Sequence, residues 1–199
     1  MDRVLITGAL GQLGTSLQKV LHKKGDFVIA TDIRDVTKKI ECQYEKLNVL
    51  SHNELYKIVK KYEINVIYHL VAILSAKGEK NPFHSWKINM ETFQNIIDVS
   101  IKCKIKKIFW PSSIAVFGKD SNLNFVPQNA YMNPTTIYGV TKLAGEKLMN
   151  YYYQKFKLDI RSIRFPGIIS METKPGGGVT DYIIEMLHAS KKGNDYNCF

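Results

Sequence analysis

The chain has 199 residues, a formal net charge of +10 and an apolar fraction of 45%, which is enough for one sizeable domain, or one domain plus part of a second. No apolar run approaches membrane-spanning length and Met1-Asp2-Arg3 leads straight into an apolar strand pattern, so neither a transmembrane segment nor a signal peptide is expected and the location is read as cytoplasmic. Cys42, Cys103 and Cys198 are too scattered for a metal site or a disulfide framework, and the lysines sit in short helix-flanking clusters without interleaved aromatics, a solvated surface rather than a nucleic-acid or membrane face.

Val4-Leu5-Ile6-Thr7 reads as a buried strand. Gly8-Ala9-Leu10-Gly11-Gln12-Leu13-Gly14 follows at once, and Leu13, Leu17, Val20 and Leu21 then recur at helical spacing. A helix N-terminus offers free N–H groups and partial positive charge, and glycines let a phosphate reach them. The pattern strand, glycine turn, helix therefore predicts a dinucleotide pyrophosphate site. Phe27 to Thr31 is a second strand ending at Asp32, eighteen residues after Gly14. A carboxylate there accepts the hydroxyls of an adenosine ribose and repels a 2′-phosphate, which favours NAD over NADP; Arg34, two residues on, is the feature that would suit a phosphate instead.

Glu41 to Leu47 suggests a short strand, and Asn48-Val49 leads to Ser51, which with Glu54 predicts a capping box and a helix to about Tyr62. Asn65 to Leu70 is a third strand, running into Val71-Ala72-Ile73-Leu74-Ser75. Asn81-Pro82 opens a long helix to about Lys102. Ile105 to Trp110 is a fourth strand, followed by Pro111-Ser112-Ser113. A polar loop from Lys119 to Pro134 precedes a helix from Thr135 to about Tyr153. Leu158 to Arg164 is a fifth strand, broken by Phe165-Pro166-Gly167, and a helix is expected from Thr180 to Ser190. Strands and helices alternate throughout, which predicts an α/β fold with a doubly wound parallel sheet. Ligands in such folds sit beyond the carboxyl ends of the strands, where Gly8, Asp32, Ser75, Ser113 and Gly167 all fall.

Tyr138 and Lys142 share one helix face at a four-residue spacing. An ammonium beside a phenol stabilises the phenolate, which makes Tyr138 a candidate general base for a substrate hydroxyl. Ser113 is placed to hydrogen-bond the same oxygen. His69 lies inside a strand pattern and Trp110 beside a proline, and both read as packed core.

Together, Gly8-x-x-Gly11-x-x-Gly14, Asp32, Ser113-Ile-Ala-Val-Phe-Gly118 and Tyr138-Gly-Val-Thr-Lys142 resemble the extended short-chain dehydrogenase/reductases, the group of the NAD-dependent epimerases and dehydratases. Leu74 to Pro82, Thr136 to Gly139, Arg164 to Ser170 and Pro175-Gly-Gly-Gly-Val-Thr-Asp-Tyr182 narrow the resemblance to the short-chain type of L-threonine 3-dehydrogenase. The resemblance implies a Rossmann domain over residues 1–165 and the beginning of a smaller C-terminal substrate lobe over 166–199. It implies NAD held by Gly8, Gly11, Gln12, Leu13, Gly14, Asp32, Ile33, Arg34, Asn48, Val49, Leu70, Ala72, Tyr138, Lys142 and Pro166. The implied chemistry is oxidation of the L-threonine β-hydroxyl to 2-amino-3-ketobutyrate, with Ser113, Tyr138 and Lys142 catalytic and no metal.

Ser75, Ser113, Tyr138, Gly178, Thr180 and Asp181 would meet the amino acid, Asp181 as partner of the ammonium. Ser75 reads equally as a helix N-cap and Asp181 as a helix-start carboxylate. Val179 stands where the family has threonine, which removes one hydroxyl from that site. Family members run on beyond the point where this sequence stops, so an incomplete substrate lobe is expected. The alternatives are a nucleotide-sugar epimerase or dehydratase with the same triad, or an NAD-binding fragment without turnover. A homodimer through the two long helices is also implied, with Tyr131, Met132 and Tyr151 to Tyr153 supplying surface.

Overall fold

The computed structural model describes residues 1–37, 40–119, 125–169, 176, 178 and 181–197. Strands β1 (Arg3–Thr7), β2 (Phe27–Asp32), β3 (Gln43–Lys46), β4 (Val66–His69), β5 (Lys107–Phe109) and β7 (Ile160–Arg161) form a six-stranded sheet in the order β3-β2-β1-β4-β5-β7. Every pairing in it is parallel. The order reverses direction between β1 and β4, the switch point where α/β sheets open a crevice. Thr7 stands opposite both Thr31 and His69, so the ends of the three central strands are level.

The continuous apolar strands are explained by burial on both faces. Leu5, Ile29, Ile67 and Ile108 point to one side, against α2 (His52–Lys61) and α5 (Thr92–Cys103). Val4, Ile6, Val28, Ala30 and Val66 point to the other, against Leu21 of α1 (Gln12–Lys23). Each such fully buried side chain contributes about 1.5–3 kcal/mol.

Four local expectations are corrected. Val20 is 62% exposed, and Gln18 takes its place on the inner face of α1, donating to the Ala9 carbonyl at 3.0 Å. Ser51 precedes α2, but its side chain makes no cap bond. The long helix expected from Pro82 is in three parts: α4 (Pro82–Trp86), a π turn (Lys87–Glu91) and α5. The fifth strand ends early at Arg161. After it the chain steps off the sheet, and β8 (Arg164–Phe165) pairs with β6 (Ser112–Ser113) in a separate two-stranded sheet. Arg164 drives that step: its guanidinium binds Glu146 of α6 (Ile137–Phe156) at 2.8 and 2.9 Å, and Ser112 donates to the same carboxylate. The last helix is α7 (Asp181–Lys191), which buries Ile184. Among the described residues no helix is long and apolar enough to cross a membrane.

Candidate active site

The glycine turn joins β1 to α1 at the switch point. Gly8 has φ +73°, and a Cβ there would sit 3.0 Å from the Leu70 carbonyl carbon. A Cβ on Gly14 would lie 2.6 Å from Ala9 Cα, so only glycine lets α1 pack this close to the strand end. Gln12 Nε2 is buried with no hydrogen-bond partner, an orphaned donor beside the helix N-terminus. The Ala9, Leu10 and Gly11 amides already bond Thr31, Asp32 and Gly8, so what the turn offers a pyrophosphate is a close approach with no Cβ in the way, the N-terminus of α1 and the spare Gln12 donor.

Asp32 ends β2 with 6% of its surface exposed. Its carboxylate accepts from the Leu10 amide at 3.1 Å and the Arg34 amide at 3.2 Å. The Arg34 guanidinium also grips it, Nε at 2.9 Å and Nη2 at 3.0 Å. Burial works to raise the Asp32 pKa, but the bonds from Arg34 outweigh it and hold the carboxyl below its usual value. Both oxygens are therefore engaged, and any ligand that reaches the carboxylate must displace the exposed Arg34 side chain. Arg34 is thus paired with Asp32 and is not a free phosphate receptor.

The remaining cofactor expectations scatter around this crevice. Ile33 is exposed, Leu13, Leu70 and Ala72 are half-buried, and Pro166 is exposed. The Leu70 amide donates to the Thr7 carbonyl at 3.0 Å. Asn48 uses its side chain to accept from Leu50. Val49 is buried in the main core, with its carbonyl taken by Asn95.

Ser113 and Tyr138 meet because glycines remove the bulk between their segments. Ser113 closes β6 and accepts from the Ala115 amide at 3.2 Å, opening a 3-10 turn (Ile114–Val116). A Cβ on Gly139 would lie 2.2 Å from the Ala115 carbonyl oxygen. That contact sets the first turn of α6 against the Ser113 turn, which brings Ser113 beside the Tyr138 phenol, where it acts to lower the phenol's pKa. Lys142, one turn on, is buried. It donates to the Pro111 carbonyl at 2.7 Å and lies 5.4 Å from the Tyr138 ring centroid.

The electrostatics depart from the expectation that Lys142 lowers the Tyr138 pKa. Burial pushes the phenol up, opposed only in part by Ser113. Burial also drives Lys142 down to about 7. Burial thus disfavours the charged form of both side chains.

The residues expected to meet an amino acid gather around Leu74. Gly176 and Gly178 both approach its Cδ1, and Leu74 leads into α3 (Ser75–Glu79). So Ser75, Gly178 and Asp181 are brought to one neighbourhood. Ser75 is the first helical residue, not the cap. Asp181 opens α7 and accepts from the Gly178 amide at 2.8 Å, a helix-start role. Thr180 and Val179 lie outside the described residues.

Two positioning contacts carry no local sequence signal. Asn89, in the π turn, accepts from the Ile73 amide at 2.7 Å, donates to the Ile73 carbonyl at 3.1 Å and reaches Thr141 of α6 at 3.2 Å. Glu79 accepts from the Ile137 amide at 2.8 Å, at the start of the helix that carries Tyr138. Both tie the segment after β4 to α6. His69 is fully buried and packed, as expected. Thr92 already donates to Ile88, so it accepts from His69 Nε2–H, and Thr7 donates to Nδ1. Burial, and secondarily the charge of Lys142, lowers its pKa to about 3.

Comparison with known proteins gives a consistent picture. The profile of the NAD dependent epimerase/dehydratase family matches residues 4–198. An uncharacterized epimerase/dehydratase of Staphylococcus haemolyticus (strain JCSC1435) is 41% identical over 97% of this chain and 62% of its own. Among solved structures, a partial consensus L-threonine 3-dehydrogenase superposes with TM-score 0.96 at 40% identity, covering all of this chain and 64% of the other. The GalE-like L-threonine dehydrogenase from Cupriavidus necator, in its holo form, gives 0.95 at 38% identity, with 100% and 65% covered. The chain thus spans a little under two thirds of the length of the relatives it matches.

Proposed function

The chain belongs to the NAD dependent epimerase/dehydratase family, and from that premise we propose that it is the cofactor-binding and catalytic part of an NAD-dependent dehydrogenase that oxidises the β-hydroxyl of L-threonine. The observation that carries the chemistry is the convergence of Ser113, the half-buried Tyr138 phenol and the buried Lys142, whose Nζ lies 5.4 Å from the Tyr138 ring centroid and donates to Pro111. The substrate choice rests on the L-threonine dehydrogenases that cover the whole chain at 38–40% identity. Residues 1–165 then form the NAD domain and 166–199 begin the substrate lobe.

In this reading the glycine turn and Gln12 hold the pyrophosphate, and Asp32 holds the adenosine ribose once Arg34 yields. NAD supplies hydride acceptance at this site. Tyr138 takes the β-hydroxyl proton, and Ser113 holds the same oxygen. To accept that proton Tyr138 must be the phenolate, which the transfer turns into the phenol; a positively charged Lys142 favours the phenolate beforehand and offers an N–H donor to the second ribose. Lys142 is buried, so its charge acts on the Tyr138 phenolate through a lower dielectric than water. Ser75, Gly178, Thr180 and Asp181 serve the amino-acid head group.

The test is NADH formation with L-threonine, compared with UDP-, GDP- and dTDP-sugars, on this chain and on one extended to the length of its relatives. Turnover of threonine and of no sugar nucleotide is expected. Tyr138→Phe should reduce kcat by about 10²–10⁴-fold while leaving NAD binding largely intact. A sugar-nucleotide preference would favour an epimerase or dehydratase, the name that the Staphylococcus haemolyticus relative carries. NAD binding without turnover in either length would leave a binding fragment.

A further inference from the structure

We propose that Trp110 is a positioning residue for Lys142: its indole face and the Pro111 carbonyl together form the seat that holds the ammonium beside Tyr138. The proposal rests on the reading of Lys142 as part of the active site. Lys142 Nζ stands 4.3 Å from the Trp110 ring centroid and donates to Pro111 at 2.7 Å. The lysine is 4% exposed, so water solvates it little. Among the described residues no carboxylate is bonded to it. Glu146, one turn further along α6, is held by Arg164 and Ser112. The other titratable groups nearby are the Tyr138 phenol and the neutral His69 imidazole. The ring and the carbonyl therefore stand in for the lost hydration, since the negative face of an indole attracts a desolvated cation.

The seat is rigid, as a positioning device requires. Trp110 is 1% exposed and stacks on Phe93 at 4.6 Å, which stacks in turn on His69 at 6.2 Å. On its outer side the indole fills a notch in α6 at Gly145, where a Cβ would lie 2.3 Å from Cη2. Trp110 thus has little room to shift, and the lysine above it inherits that fixed position. The depression of the Lys142 pKa to about 7 adds a way to observe the contact, because the charge over the ring changes near neutral pH.

The chain holds two tryptophans, so Trp86→Phe leaves Trp110 as the only indole; Trp86 is half-exposed on α4 and outside the site. Trp110 emission is recorded from about pH 5 to 9, without cofactor or substrate, in Trp86→Phe and in Trp86→Phe/Lys142→Met. Methionine keeps much of the side-chain volume and removes the charge. A titration with its midpoint near neutral pH is expected in the first and its loss in the second. Emission that is flat in both, or that titrates identically in both, overturns the proposal. The measurement needs no turnover, so it decides the question even if the threonine reading fails. If turnover is present, Trp110→Leu should move the high-pH limb of kcat down by up to about one unit, and Trp110→Phe should restore it. A limb that stays in place in a folded Trp110→Leu also overturns it.

Discussion

Replacing Gly145 with alanine sets two opposing terms against each other inside α6. Alanine is favoured over glycine in a helix interior by about 1 kcal/mol, and on that ground the variant would be more stable. The added Cβ, however, would lie 2.3, 2.7 and 2.8 Å from Cη2, Cζ2 and Cζ3 of Trp110. Those atoms belong to a ring, not to the end of a flexible chain. The ring is 1% exposed and backed by Phe93 at 4.6 Å, so relief requires movement of the helix or of the core. Overpacking of that kind costs about 1–3 kcal/mol. Three contacts under 3 Å with a fixed ring put this clash at the upper end of that range, about 2–3 kcal/mol, so the steric term wins and leaves a net loss of about 1–2 kcal/mol. For a domain of this size that lowers Tm by roughly 2–8 °C. Thermal denaturation of Gly145→Ala and the parent in one buffer measures it. A variant that melts at or above the parent would refute the packing assignment and leave helix propensity in charge.

His69 should make the fold acid-sensitive well above the carboxylate range. Its folded pKa of about 3 lies below the usual 6.5, so only the unfolded chain takes up the proton between those values. Stability is then complete above pH 6.5 and falls on acidification by up to about 1.4 kcal/mol per unit. Urea midpoints at pH 7 and about pH 5 should diverge in the parent and converge in His69→Gln; equal shifts in both would contradict the assignment. Glu79→Ala should lose up to about 1 kcal/mol by removing the acceptor of the Ile137 amide and a negative charge at the start of α6, where Thr136 remains the cap, read from urea unfolding at low salt; no loss would make the Ile137 contact immaterial. Asp32→Asn should weaken NAD about tenfold or more, and Arg34→Ala should tighten it by freeing the carboxylate. Equal Kd values across the three proteins, by calorimetry, would remove Asp32 from the ribose site.

What was legible in the sequence was whatever repeats at short range. The run from Val4 to Asp32 announced strand, turn, helix and strand because apolar spacing and glycines are local signals. Tyr138 and Lys142 were visible because four residues make about one helical turn. What stayed hidden depends on partners far away in the chain. Nothing around Leu158 to Phe165 says that Arg164 will find Glu146 and carry the strand off the main sheet. Nothing in Asn89 names Ile73 or Thr141. Trp110 was recognised as core, but its second role, beneath Lys142, follows only from the notch at Gly145 thirty-five positions later. The capping pattern at Ser51 misled because its geometry was not adopted. Val20 misled because Gln18 could satisfy one inner carbonyl and so displace an apolar residue from that face.

The π turn at Lys87–Glu91 works as a phase shifter. One extra residue in a helical turn rotates everything downstream by about 100°. Upstream of it, Ser85 turns inward and donates to the Gly78 carbonyl at 3.2 Å. Downstream, Phe93, Ile96 and Ile97 are turned onto the sheet. Deleting a single residue from the turn would restore a regular helix and misalign one of the two sets, like a gear meshed a tooth out of place. The irregularity is therefore what allows one continuous rod to serve two neighbours that lie in different directions.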